Sequence, residues 1–413
     1  MKVKNFLSAF PPVDILKKEM QGISFPEVRE ANGHIHTPYS FSAFTALDSI
    51  FKMAIEEKIS VLGINDFYVT DGYNAFHKGC LANKIFPLFN IEFIGLLKEE
   101  QQKGIRINDP NNPGRIYFSG KGLDFPFDTG LPQRRQLRKV KKASQVQIKA
   151  MIAKLNGMIS PDHPSLNLSF ETIKDELAHD LVRERHIAKA LRILVLENFS
   201  TPKEQLDFLE NLYGGKRSKT GLSNPAALEN EIRSNLLKSG GAAFVEEDVN
   251  SFLELKKIIK IIVKSGGIPC YPVLLDDPSG KCTEFEADPE KLYNSLKEMG
   301  VECIELIPGR NDLTLLQNFV EFFNNKGFII TFGTEHNTPE MIPLTVSSRG
   351  SVSLNNSLKK IAWEGACIIA AHQYLRADGR QGYILPDGSN SAAQKRELIK
   401  LGQLVIEYYL NKY

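Results

Sequence analysis

GHIHTPYS, Gly33 to Ser40, sets two histidines two residues apart among small and apolar neighbours. In an extended strand, side chains at i and i+2 share a face, so His34 and His36 project together. Two imidazoles aimed at one point suit a transition metal, although an HxH pair on an edge strand or turn is an equally ordinary arrangement. Residues farther along the chain decide between the two.

Outward from this stretch, short apolar runs alternate with helical patterns. Residues 46–58 put Leu47, Ile50, Phe51, Ala54 and Ile55 on one helical face. ISVLGIND (59–66) is an apolar run closing on Asp66, and KIFPLFNIEFIGLL (84–97) embeds Glu92 among apolar neighbours. After a Gly/Pro/Asn-rich turn at 109–114, RIYFSGKGLDF reads as the return strand of a hairpin. Strands resume at 266–275, 301–307 and 327–337, separated by helices over 288–299 and 312–325. Such alternation predicts parallel strands with right-handed crossovers, hence an α/β barrel or open sheet with its chemistry at the strands' carboxyl ends. His34, His36, Asp66, Glu92, Tyr271, Glu335 and His336 all fall at or near such ends.

The bulk properties are ordinary for a protein with a sizeable core. Of 413 residues 42% are hydrophobic and 24% charged, and the formal net charge of +2 argues against nucleic acid as a partner. Five scattered cysteines without CxxC spacing suggest reduced thiols and a cytoplasmic location. The N-terminal apolar run is too short for a signal peptide, and no run approaches a membrane span. The basic cluster at 133–149 reads as a solvated helix face, and YGGKRSKTGLSNP (213–225) as a flexible loop with the composition of a lid.

GHIHTPYS, GIND, NIEF, GGIPCYP, CIELI and ITFGTEHN, in that order, resemble the PHP (polymerase and histidinol phosphatase) superfamily, and VRERHIAKAL (182–191) resembles one of its helices. The resemblance implies a distorted seven-stranded TIM-like α/β barrel over residues 30–340, with a helical insertion at about 125–265. Residues 1–29 form an N-terminal extension, and 341–413 a C-terminal helical extension that packs on the barrel or makes an oligomer contact. It also implies up to three metal ions and hydrolysis of phosphate esters. His34, His36, Glu92 and Glu335 match one complete metal site. Phe41, Phe67, Tyr117, Tyr271 and Asn337 stand where the ligands of the other ions are expected, and a phenyl ring cannot coordinate a cation.

The expected cofactor is therefore one divalent ion (Zn, Mn or Fe) per chain. Asp66 or His336 is the expected general base, and Arg183, Arg185, His186, Tyr271 and Asn337 are the expected contacts to a small phosphorylated substrate. A solvent-facing basic turn is the plainer reading of Arg183, Arg185 and His186. The leading function is a metal-dependent hydrolase, with a phosphoesterase foremost. A metal-dependent lyase or isomerase on a sugar-like substrate and a catalytically inactive domain with a binding or regulatory role are the alternatives.

Overall fold

Seven strands form an almost closed barrel in the computed structural model, which describes residues 5–179, 181–248, 251–277, 280–383 and 392–412. They are β1 (Ala31–Ile35), β2 (Val61–Phe67), β3 (Phe86–Leu96), β4 (Arg115–Lys121), β6 (Ile268–Val273), β7 (Cys303–Leu306) and β8 (Ile329–Phe332), paired in that order. A two-residue strand, β5 (Leu253–Glu254), adds to β3. Residues 1–4 of the expected N-terminal extension, and 384–391 and 413 of the expected C-terminal extension, lie outside the described residues.

Every residue of β2 and β3 is buried, as continuous apolar runs require of strands covered on both faces. All neighbouring barrel strands are parallel except β4, which runs antiparallel to both β3 and β6. The return is made by an Asx turn, in which the Asp109 carboxylate accepts from the backbone N–H groups of Asn111 and Asn112 at 2.9 and 3.2 Å. An isolated parallel bridge between Ile35 and Glu335 joins β1 to the chain leaving β8. Glycines permit close approach on both sides of β1, Gly63 from β2 and Gly333 at this seam. A Cβ on Gly63 would lie 2.4 Å from the Gly33 carbonyl oxygen, and one on Gly333 would lie 2.3 Å from the His34 Cβ.

Helices cover the outside. In Leu47–Glu56, residues Ile50, Phe51 and Ala54 are buried as expected, but Ile55 is 53% exposed and faces solvent. Between β4 and β5 the expected helical region appears as Gly130–Ile159, Phe170–Leu177, Glu184–Asn198, Pro202–Leu212 and Pro225–Ile232, around a hydrophobic cluster of their own. Arg134, Arg135, Arg138, Lys139 and Lys142 all point to solvent from the first of these. The 213–225 loop is tied down by Glu231, whose carboxylate accepts from Ser218, Lys219 and Thr220.

The amino ends of the strands are plugged by the helix Asn356–Ala377, which is clasped in turn by Ala392–Lys412. The former is enclosed on all sides over its second half, with every residue from Gly365 to Leu375 buried. Close approach explains why. A Cβ on Gly365 would sit 2.0 Å from the Ile330 carbonyl oxygen, and one on Gly402 would sit 1.8 Å from that of Cys367. One end of the barrel is thereby sealed, and the carboxyl end stays open.

Candidate metal centre

β1 delivers His34 and, one residue past its end, His36 to the open end, β3 delivers Glu92, and the turn after β8 delivers Glu335. Ligand atoms of all four lie within 4.8 Å of one another, and all four residues are buried. Glu335 and His336 both have left-handed backbone, at φ 67° and 55°, which is costly for non-glycine residues and accumulates at functional sites. The turn is held in place because the Glu335 carbonyl accepts from the His36 N–H at 2.7 Å.

Each imidazole is anchored through Nδ1 and turns Nε2 inward. His34 Nδ1 is 2.8 Å from the Glu305 carboxylate, and His36 Nδ1 is 3.2 Å from the Ser40 hydroxyl. That hydroxyl donates to Asp66 at 2.7 Å, which leaves its oxygen free to accept from His36. The two Nε2 atoms stand 3.3 Å apart, and Glu92 Oε2 lies 3.1 Å from that of His36. Glu92 Oε2 is buried yet makes no hydrogen bond among the described residues. Burial lowers the pKa of both histidines, His36 to about 3 with the Arg183 charge adding to the effect, so both rings are neutral and present lone pairs. Burial also pushes Glu92 up to about 7, and among the described residues no lysine or arginine lies within ion-pair distance of it. Two imidazole lone pairs and an orphaned carboxylate oxygen converging in a buried place are a donor set that fits a divalent cation.

The cluster forms the inner end of a cavity of about 640 Å³. Phe41, Phe67, Tyr117 and Asn337 also line it. Arg183 lies 4.9 Å over the ring of Phe67, and Arg185 lies 5.3 Å over that of Phe41. Arg310 forms an ion pair with Glu335, while Arg233 and Arg349 pair with Glu184 and Asp276 at 2.8 and 2.7 Å. Arg185 has no acidic partner within ion-pair distance among the described residues, and its guanidinium meets the Asn230 side chain at 3.5 Å.

The remaining expected residues stand apart from the cavity. Asp66 is 1% exposed and accepts from the Thr37 N–H, the Thr37 hydroxyl and the Ser40 hydroxyl. It clamps the loop after His36 and does not line the cavity. His336 has both ring nitrogens engaged, with Thr334 Oγ1 and the Ile342 carbonyl each at 2.8 Å, and its ring stacks on Phe44. It too lies off the cavity. Tyr271 is fully buried and donates to Glu286 at 2.7 Å. His186 accepts from the Arg183 N–H at 3.0 Å and packs edge-on against Phe41, so it supports the arginine turn from behind.

Sequence reasoning passed over three charged residues at this site, Glu305, Lys121 and Arg310. Glu305 and Lys121 are fully buried and ion-paired with each other. Glu305 is the lone charge of the apolar strand β7, and Lys121 closes β4 on a buried position after Ser119 and Gly120; those were the available signals.

The fold is shared with solved structures of low sequence identity. One is a presumed metal-dependent phosphoesterase from Bifidobacterium adolescentis (TM-score 0.53, 12% identity, 81% of this chain and 95% of that one). Another is an amidohydrolase from Chromobacterium violaceum with bound sulfate and no metal (TM-score 0.51, 14% identity, 81% and 96%). No protein-family model and no curated protein matches the chain.

Proposed function

We propose that the chain is a metal-dependent hydrolase of the PHP type, a phosphoesterase acting on a small phosphorylated metabolite. The observation that carries this reading is the convergence of His34 Nε2, His36 Nε2 and the unpartnered Glu92 Oε2 beside Glu335, at the inner end of an arginine-lined cavity. The named activities of the two structural neighbours lend it weight.

A divalent ion held by these four residues would supply a Lewis acid, making water nucleophilic near neutral pH and polarising a phosphoryl oxygen. The chain's own part is to hold the ester. Arg185, which has no acidic partner within ion-pair distance among the described residues, and Arg183 beside it would present guanidinium groups to phosphate oxygens, with Asn337 and Tyr117 also lining the cavity. Asp66 and His336 serve this reading as supports of the ligand loops, because neither reaches the cavity.

Charge favours one ion over several. Glu92, Glu335 and Glu305 bring three negative charges, and Lys121 and Arg310 bring two positive ones. One divalent ion turns the remaining −1 into +1. A second would leave +3 in a buried place already flanked by Arg183 and Arg185. Elemental analysis of protein purified without chelator, with a screen of phosphate esters in added Zn, Mn or Fe, tests the proposal. One retained ion and metal-dependent phosphate release are expected. Protein that neither retains nor responds to metal would favour a binding module.

A further inference from the structure

Beneath the candidate metal centre a chain of buried groups runs from the sealed end of the barrel to His34. Lys121 stands on β4, opposite the first residue of β6, with its side chain fully buried. Its ammonium pairs with Glu305 Oε1 and lies 3.4 Å from the Asn65 side-chain oxygen Oδ1. Glu305 Oε2 lies 2.8 Å from His34 Nδ1 and 3.5 Å from the Ser119 hydroxyl. A fully buried lysine–glutamate pair is a poor way to gain stability, because desolvating both charges offsets their attraction. Its retention next to a histidine asks for another reason.

We propose that Glu305, held in place by its ion pair with Lys121, is a positioning residue that fixes His34 as the Nδ1–H tautomer and keeps its Nε2 lone pair aimed into the cluster.

A carboxylate can only accept, so the 2.8 Å contact requires the His34 proton to reside on Nδ1. The other polar side chain at that nitrogen, among the described residues, is the Asn65 amide. It lies 3.1 Å from Nδ1 and 3.0 Å from Nε2, and so cannot select between tautomers. A neutral imidazole whose outer N–H meets an anion is more basic at its inner nitrogen, and so a stronger ligand. Lys121, fully buried and ion-paired with the other oxygen of Glu305, holds that carboxylate in place against Nδ1.

The inference rests on the metal-site reading, but its test has a readout independent of metal. Protein carrying ¹⁵N-labelled histidine is studied by long-range ¹H–¹⁵N correlation, with the His34 signals assigned by their loss in His34→Gln, and zinc binding is followed by calorimetry. In the wild type His34 is expected as the pure Nδ1–H tautomer. In Glu305→Gln, and in the charge-balanced Lys121→Met/Glu305→Gln, which leaves no unpaired buried charge, the Nε2–H form is expected to appear. Zinc affinity is expected to fall roughly tenfold to a hundredfold with the fold intact. Nε2–H in the wild type, or an unchanged tautomer and zinc affinity in the folded double variant, would overturn the proposal. Should the wild type bind no zinc, the metal reading fails while the tautomer still decides the role of Glu305.

Discussion

Arg185 Cζ stands 5.3 Å over the ring of Phe41, and no carboxylate among the described residues lies within ion-pair distance of it. Burial pulls this guanidinium down to about 10, an unfavourable setting for a charge that stays protonated regardless. An incoming phosphate would relieve it. Arg185→Ala is therefore expected to weaken the binding of inorganic phosphate by about 1.5–3 kcal/mol, tenfold or more, in calorimetry. Arg349→Ala is the control, because Asp276 already satisfies that guanidinium at 2.7 Å, and its effect should be severalfold smaller. Equal losses in the two variants would mean that phosphate is not held at Phe41.

Arg310 competes with any cation for Glu335. The two form an ion pair at the mouth of the cluster, with the arginine side chain 43% exposed. A pair so open to water contributes only about 1 kcal/mol. Arg310→Met should accordingly bind zinc roughly fivefold more tightly by calorimetry, because Glu335 no longer has to leave a partner. Weaker binding would show that Arg310 orients Glu335 and does not compete for it.

The barrel was legible because its strands are short apolar runs separated by helical periodicity, and that pattern survives without knowledge of contacts. His34, His36, Glu92 and Glu335 were legible as motif residues. Glu305 was visible in CIELI but carried no assignment, since its meaning depends on His34, 271 positions away, and on Lys121, 184 positions away. Asp66 and His336 were the converse case. Sequence gives the chemistry of a side chain but not how its hydrogen bonds are spent, and Thr37, Ser40, Thr334 and Ile342 spend theirs. Ile55 failed for a simpler reason, lying at the edge of an apolar face that the barrel does not cover.

The 213–225 loop is expected to be a cleavage site without being a lid. Residues 214–217 are exposed and Gly214 and Gly215 are both left-handed, so protease can engage them. No residue of the loop lines the cavity. Limited proteolysis should nick here early, and at the same rate with and without phosphate. Strong protection by phosphate would restore the lid that the composition suggested.

His372 should make the protein acid-sensitive at the sealed end of the barrel, away from the candidate metal centre. Its Nε2 donates to the Gly266 carbonyl at 2.5 Å, and its Nδ1 accepts from the Tyr383 N–H at 2.9 Å, so the buried ring is needed neutral. Burial lowers its pKa to about 4; the Gly266 bond opposes this, Arg376 reinforces it and Asp124 opposes it. The unfolded chain takes up this proton near pH 6.5, whereas the folded chain resists until about pH 4. Stability from this group is therefore complete above pH 6.5 and drains away as the pH falls to about 4, by about 3 kcal/mol at most. His372→Gln keeps one donor and one acceptor but cannot titrate. Thermal melts of the two proteins should differ by a constant offset above pH 6.5, and the variant should gain on the wild type between pH 6.5 and 4. Parallel curves across that window would mean that the ring takes its proton without leaving its partners, and that acid attacks the fold elsewhere.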